Sequence, residues 1–344
     1  MTDYKEKFHQ LHPGVIYLEN EINPALLDYL RRKLWIGKTE EIIKLEKPGE
    51  GNMNFVVRVI SDTRRFILKQ ARPWVQKYPQ VAAPIDRAGT EFNFYALIAQ
   101  DDFLKRHTPQ LIGYDPQQYI LALEDLGEGA DFTKLYQKGE NLTSAELEAL
   151  TGFLSQLHAL DAKPETIRKV GHPNMKKLNH EHIFIFPFLE ENGFDLDTVQ
   201  PGLQTAALPF KKNKTLKNKI IELGEIYLAT HQTLIQGDYY PGSWLKVESG
   251  LKIIDPEFAY FGRAEFELGV MVAHFKMSQQ EEDTIQHCLR LYQKPAGFED
   301  NLFRAFIGIE LLRRLVGLAQ LPLSLHLQEK MALMDEAKTY IENY

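Results

Sequence analysis

The chain reads as an α+β protein of two lobes, a small antiparallel sheet near the amino terminus and a larger, mainly helical body after it. Three observations carry that reading. Short apolar runs cluster between Glu41 and Gln70 with turn residues between them. Beyond Gly127, most of the chain repeats apolar residues at helical spacing. A length of 344 residues allows two lobes sharing a cleft.

Composition bounds the partners. A hydrophobic fraction of 44% with 25% charged residues is ordinary for a globular chain. A net charge of -7 argues against nucleic acid or an anionic membrane as the main partner. Cys288 is the sole cysteine, which excludes an intrachain disulfide and fits a reducing cytoplasm. The start M-T-D-Y-K-E-K-F-H-Q has no apolar signal core, and no later run reaches membrane-spanning length. A cytoplasmic protein without membrane contact is expected; the oligomeric state is left open, a homodimer among the options.

Asn23 and Pro24 open a helix to Leu34, as N-cap and first helical residue. Strands are expected at Glu41 to Leu45, Asn54 to Ile60 and Arg65 to Gln70, with Pro48-Gly49 and Ser61-Asp62 as turns. Between the first two lies Gly49-Glu50-Gly51-Asn52-Met53-Asn54, whose small residues suit either a hairpin turn or an anion cradle. Lys69 ends the third strand. A helix from Arg87 to Gln100 shows Phe92, Tyr95, Ala96 and Ile98 as its core face, and Glu91 beside it can reach Lys69. The stretch Ala71 to Ala88 holds Pro73, Trp74, Tyr78, Pro79 and Pro84; it reads as a lid over a ligand or as a rigid loop with Trp74 packed into its own lobe. The apolar strand Tyr119 to Leu123 runs into Glu124-Asp125-Leu126-Gly127, where the boundary between lobes 1–126 and 127–344 is placed.

In the second lobe, Thr143 or Ser144 caps a helix with Leu147, Leu150, Phe153, Leu154 and Leu157 inside. His158 at its end reads as a packed or capping residue. His172, His180 and His182 lack the further ligands and spacing of a zinc site. Lys211 to Lys219 is a basic helix start running toward Gln232. The last helices are expected at Asp300 to Ala319 and Leu323 to Asn343.

The stretch Gln236 to Glu257 organises the rest. Trp244, Leu245 and Val247 lead into Ser249-Gly250, and Leu251, Ile253 and Ile254 lead out, which is a hairpin. Folding it brings Asp238, before the first strand, toward Asp255, after the second. Phosphoryl transfer from a nucleotide needs two such carboxylates, one to orient a hydroxyl and one to hold Mg²⁺ against the phosphates. Protein kinases place them in H-R-D-x-x-x-x-N and D-F-G. Here Asp238 stands at the catalytic position, Ser243 at the Asn position, and Asp255-Pro256-Glu257 replaces D-F-G. In the same frame Gly49, Gly51, Asn52 and Asn54 belong to a flap over the phosphates, Lys69 with Glu91 forms the phosphate-contacting pair, and adenine pairs with backbone near Glu124 and Leu126.

The wording G-D-x-x-x-G-S followed by I-D-P-E-F-A resembles the methylthioribose kinases, a branch of the aminoglycoside phosphotransferase and choline kinase superfamily. G-x-G-N-x-N-F, K-Q-A-x-P-x-V, L-x-L-E-D-L-G and E-L-L-R-R-L-V-G-L-A strengthen the resemblance, which runs from Gly49 to about Ala319. It implies a bilobal protein kinase-like fold, ATP and Mg²⁺, Asp238 as catalytic residue, and Asp255 with Glu257 as the metal pair. It also implies Arg313 and Arg314 at the sugar and favours Trp74 in the lid. Adjacent helical residues point about 100° apart, so at most one of the two arginines is expected to enter the cleft, with an ion pair to Glu310 as the alternative. Glu267 takes the place of an aspartate that ties the catalytic loop to the next helix.

Two departures bear on this. Gln236 replaces a histidine that pins the loop, and Gln can both donate and accept. Tyr239, Tyr240 and Trp244 are bulky, and they are expected to reshape the acceptor pocket. The expected activity is therefore ATP-dependent phosphorylation of a small-molecule hydroxyl, on methylthioribose or a similar sugar. An aminoglycoside, choline or another amino alcohol, another sugar, or a regulatory pseudokinase are the alternatives.

Overall fold

In the first unit of the chain, Met1–Glu128, local chemistry sets the element ends. Helix α1 (Tyr4–Leu11) is capped by Asp3, whose carboxylate accepts the N–H groups of Lys5 and Glu6. Helix α2 (Pro24–Arg32) starts at Asn23, which accepts the Leu26 N–H at 2.9 Å, with Pro24 in the first turn. Strands β1 (Ile42–Glu46), β2 (Phe55–Ser61) and β3 (Arg65–Gln70) come next, then a short hairpin of β4 (Trp74–Val75) and β5 (Tyr78–Ala82). Helices α3 (Arg87–Ile98) and α4 (Asp102–Arg106) lead to β6 (Leu111–Asp115) and β7 (Ile120–Glu124). The computed structural model describes residues 3–49, 53–161 and 163–344.

The sheet runs β1-β2-β3-β7-β6, antiparallel throughout. Alternate residues of its central strands, Val57, Val59, Phe66, Leu68, Ile120 and Ala122, turn onto Leu26, Tyr29, Leu30 and Trp35 to make the core of this unit. β6 was not expected, because Leu111-Ile112-Gly113-Tyr114 is too short and mixed to carry a pattern. On α3 the inward face is Glu91, Phe94, Tyr95 and Ile98. The expected Phe92 and Ala96 are displaced from it: Phe92 stacks on Tyr114 at the side, and Ala96 is exposed.

The second unit is Gly129–Tyr344. It opens with β8 (Gly129–Asp131) and continues through α5 (Ser144–His158), α6 (Pro164–Lys169), α7 (Pro173–His180), α8 (Leu203–Lys212) and α9 (Lys214–Leu228). Thr143 and Glu146 form a reciprocal capping box on α5. The basic run is not one helix: Asn213 ends α8 and caps α9, and Lys211 is buried. Strand β9 (Thr233–Ile235) precedes the hairpin β10 (Trp244–Val247) and β11 (Gly250–Ile253); β8 pairs with the outer side of β10, and β12 (Tyr260–Gly262) returns to β9.

Four helices complete the unit: α10 (Ala264–Met277), α11 (Glu282–Leu291), α12 (Asp300–Val316) and α13 (Leu327–Glu342). In α10 every residue but Lys276 is buried, as is α12 from Ala305 onward. Gly269 and Gly308 leave room for that packing, against Phe306 and the carbonyl of Ala337 respectively. Among the described residues no helix is long and apolar enough to cross a membrane.

Candidate active site

In the first unit, Lys69 and Glu91 meet inside the lobe. The Lys69 ammonium lies 2.8 Å and 3.0 Å from the two Glu91 oxygens, and both side chains are buried. β3 supplies the lysine and the inward face of α3 the glutamate. Gly49 is exposed at the bend after β1, while Gly51 and Asn52 lie outside the described residues. Asn54 is buried, and its amide oxygen accepts the Nε–H of Arg87 at 2.9 Å. Arg87, fully buried, also donates to the carbonyls of Met53, Arg72, Trp74 and Pro84. It fastens the exit of the glycine turn to the 71–84 excursion.

Trp74 is packed into its own lobe and is no lid residue. It is 2% exposed, with its ring against Tyr4 and Phe8 of α1, so it presents no face to a substrate. The packed-loop alternative describes it. At the end of β7, the Glu124 N–H donates to the Gln110 carbonyl, and its carboxylate accepts the Gln110 N–H. Asp125 is held by Arg58. Leu126, just beyond β7, is half-buried.

In the second unit, the loop after β9 is built around Gln236, which is fully buried. Its Nε2 donates to the carbonyls of Ile254 at 2.9 Å and Asp255 at 3.1 Å, while its Oε1 accepts the Asp238 N–H at 2.7 Å. One side chain thus joins the two carboxylate-bearing segments, using both donor and acceptor capacity. Glu267, in the first turn of α10, accepts the N–H groups of Gln236 at 3.0 Å and Gly237 at 2.8 Å. His158 donates Nε2–H to the same carboxylate at 3.0 Å, with the Tyr292 hydroxyl 2.6 Å from its Nδ1. Gly237 is required: its φ is +89°, and a Cβ there would lie 2.2 Å from the Phe258 carbonyl oxygen.

Asp238, part exposed, faces α12. Its Oδ1 lies 3.4 Å from an Nη of Arg314 and 3.6 Å from an Nη of Arg313. Burial pushes its carboxyl above the usual range, against the pull of Arg314 and then Arg313. Both guanidiniums reach this carboxylate, contrary to the single entry that helical geometry suggested. The reason is Glu310, three and four residues earlier, which accepts the Nε–H of Arg313 at 2.5 Å and that of Arg314 at 2.8 Å. The clip draws two diverging side chains together. Burial raises the Glu310 carboxyl, but Arg313 and Arg314 outweigh it and hold the group well below the ordinary carboxylate range.

Tyr239 and Trp244 do not line an acceptor pocket. Tyr239 is fully buried, donating to the Leu150 carbonyl and stacked on Phe153; Trp244 is buried against Phe132, Tyr239 and Phe275. Of the bulky residues only Tyr240 faces the arginines, its ring 4.9 Å from the Arg314 guanidinium.

Asp255 has φ +57°, a left-handed conformation rare for a non-glycine residue. It is exposed, while Glu257 on the following turn is buried. Ser243 is buried and bound through its backbone to Tyr240 and Ile254. Among the described residues no three His, Cys, Asp or Glu side chains cluster to hold a metal. The donor set of Asp255 and Glu257, two hard carboxylates, nevertheless fits Mg²⁺, which binds through one or two carboxylates with phosphates and water rather than in an all-protein cage.

The model of the phosphotransferase enzyme family known as APH matches residues 44–298. The chain belongs to this family. Over 90% of its length it is 27% identical to a methylthioribose kinase of Bacillus velezensis, covering 89% of that enzyme. It is 26% identical over 73% of its length to a methylthioribose kinase of Pectobacterium atrosepticum, of which the match spans 64%. The solved Plasmodium vivax ethanolamine kinase shares the fold, with a TM-score of 0.52 over 97% of this chain and 93% of that one, at 10% identity. This phosphotransferase is accordingly a small-molecule kinase of kinase-like α+β fold, with ATP as donor and a hydroxyl acceptor. Sequence reading offered an ion pair to Glu310 as an alternative to cleft entry; it missed that Glu310 holds both arginines while both reach Asp238, and it missed the hub at Arg87. The E-x-x-R-R spacing of Glu310, Arg313 and Arg314 was the available signal for the first.

Proposed function

We propose that this phosphotransferase transfers the terminal phosphoryl group of ATP to a hydroxyl of methylthioribose or a closely similar sugar. The observation that carries the reading is the single oxygen of Asp238 set against both Arg313 and Arg314, on a loop that Gln236 ties to Asp255. Asp238 accepts the hydrogen bond of the acceptor hydroxyl and orients it for in-line attack. Its raised basicity, from burial, suits a group that takes that proton. Arg313 and Arg314 recognise the acceptor or its phosphorylated product.

In the first unit, Lys69 oriented by Glu91 contacts nucleotide phosphates, the turn holding Gly49, Gly51, Asn52 and Asn54 covers them, and Glu124 and Leu126 supply backbone contacts to the base. Asp255 and Glu257 would hold Mg²⁺, and Ser243, on the loop before β10, belongs with the nucleotide-binding residues. When bound, the ion neutralises phosphate charge. A cytoplasmic place of action belongs to this reading, since Cys288 is a buried free thiol. The sugar is favoured because both enzyme relatives described above are methylthioribose kinases.

The test is incubation with Mg²⁺-ATP and methylthioribose, then mass spectrometry of the acceptor. A gain of one phosphoryl group supports the proposal. Phosphorylation of choline, an aminoglycoside or another sugar, with methylthioribose left unchanged, would replace the acceptor.

A further inference from the structure

Behind Arg313 and Arg314 lies a line of buried hydrogen bonds that none of the proposed catalytic and binding roles uses. The Tyr136 hydroxyl is 2.6 Å from Nδ1 of His274, and His274 Nε2 is 3.0 Å from Oε1 of Glu310. Tyr136 is 2% exposed, His274 0% and Glu310 1%. Tyr136 precedes α5, His274 sits in the last turn of α10, and Glu310 lies on α12. Three separate segments thus converge on one carboxylate.

The direction of the line comes from its chemistry. Ionised Glu310 can only accept, so His274 carries its proton on Nε2. A neutral imidazole then has an acceptor at Nδ1, and the Tyr136 hydroxyl donates to it. Burial pushes His274 down to about 4 despite the neighbouring Glu310, and burial likewise keeps Tyr136 protonated. Around the imidazole stand Glu310, Arg313, Arg314 and the ring of Tyr240.

Glu310 consequently receives three N–H donors, from His274 and Arg314 on Oε1 and from Arg313 on Oε2. A carboxylate held only by two arginines can rotate about its own axis and move with them. The third donor comes from a different helix and fixes the plane. That plane sets how far the two guanidinium ends reach, and both end on the same oxygen of Asp238.

We propose that Tyr136 and His274 are positioning residues of this phosphotransferase, which fix the Glu310 carboxylate so that Arg313 and Arg314 converge on Asp238 and on the acceptor. The inference rests on the proposed acceptor site at Asp238. Its consequence falls on the acceptor and spares the nucleotide, whose proposed contacts, Lys69, Glu124, Leu126 and Ser243 with Mg²⁺ at Asp255 and Glu257, include no member of this line.

The experiment uses the full chain and the variants Tyr136→Phe, His274→Leu and His274→Gln. Glutamine can accept from Tyr136 and donate to Glu310, so it is the conservative rescue. Tyr136→Phe and His274→Leu should lower kcat/KM for the acceptor by about tenfold or more, as expected for loss of one buried hydrogen bond in the first and two in the second, with the KM for ATP held within about twofold. His274→Gln should recover most of the loss. Equal losses for both substrates that track the melting temperature, or no loss at all, would overturn the proposal. A second measurement needs no acceptor: ¹⁵N NMR of the imidazole and of the arginine Nε–H groups. A neutral Nε2–H tautomer at His274, with arginine Nε–H shifts that move in Tyr136→Phe, supports the relay; an Nδ1–H or doubly protonated ring contradicts it. Absent turnover in the wild type would strike the acceptor reading, and the NMR arm would still decide the relay.

Discussion

Gln236 holds the main-chain carbonyl of Asp255 at 3.1 Å while its own amide oxygen takes the Asp238 N–H. Two segments that each carry a carboxylate of the proposed site are therefore aligned by one buried amide. Gln236→Leu removes three hydrogen bonds and leaves buried polar groups unpaired, each worth about 1–3 kcal/mol. We expect turnover to fall by at least about tenfold, with a lower melting temperature. Gln236→His offers a donor on one nitrogen and an acceptor on the other, and steady-state kinetics should show most of the activity retained.

Arg313→Ala should raise the KM for the acceptor and leave the KM for ATP nearly unchanged. The variant also releases one Nε–H from Glu310, so Arg314 should keep part of the function. An unchanged acceptor KM in initial-rate measurements would return this helix to a structural role.

Lys69 and Glu91 form a buried pair, and breaking such a pair by removing one partner costs about 3–5 kcal/mol. Lys69→Met should both lower the melting temperature and weaken nucleotide binding. Calorimetric titration with ATP checks the second effect separately. Loss of stability with full nucleotide affinity would make the pair structural alone.

His274 gives a pH signature. Its folded pKa, lowered to about 4, lies below the unfolded value, so the unfolded chain binds more protons between the two. Stability should fall as pH drops from the ordinary histidine range toward 4, by about 3 kcal/mol for this group. Glu310, whose folded value is depressed, adds a loss at still lower pH, below the ordinary carboxylate range. Chemical denaturation at a series of pH values should show the upper part of this slope flattened in His274→Gln.

The hairpin and the two carboxylates around it were legible because alternation of Trp244 to Ile254 is local, as is the order of the Q-G-D and D-P-E segments. Lys69 was legible as the end of an apolar strand, whereas Glu91 was picked out beside a face of Phe92 and Ala96 that the helix does not bury, and it was the kinase frame that paired the two. What escaped depends on partners far along the chain. Aromatic residues beside a catalytic loop look like pocket walls in sequence, yet Tyr239 and Trp244 serve the core because α5 and α10 bring Phe153 and Phe275 to them. Trp74 looks like a lid residue until α1 covers it. His274 carries no local sign of its role, since its partners Tyr136 and Glu310 lie in other segments. The paired arginines were misjudged because the ion pair to Glu310 and entry into the cleft were set against each other, whereas Glu310 takes the Nε–H of both and leaves their Nη groups to reach Asp238.

The most direct test is ADP release by the purified chain with Mg²⁺-ATP and methylthioribose, run beside Asp238→Asn and a nucleotide-binding assay on both proteins. The account predicts acceptor-dependent ADP release by the wild type, its loss in Asp238→Asn, and nearly equal nucleotide affinity in the two. Full turnover by Asp238→Asn, or nucleotide binding without turnover on methylthioribose, other sugars, choline, homoserine or aminoglycosides, would contradict it.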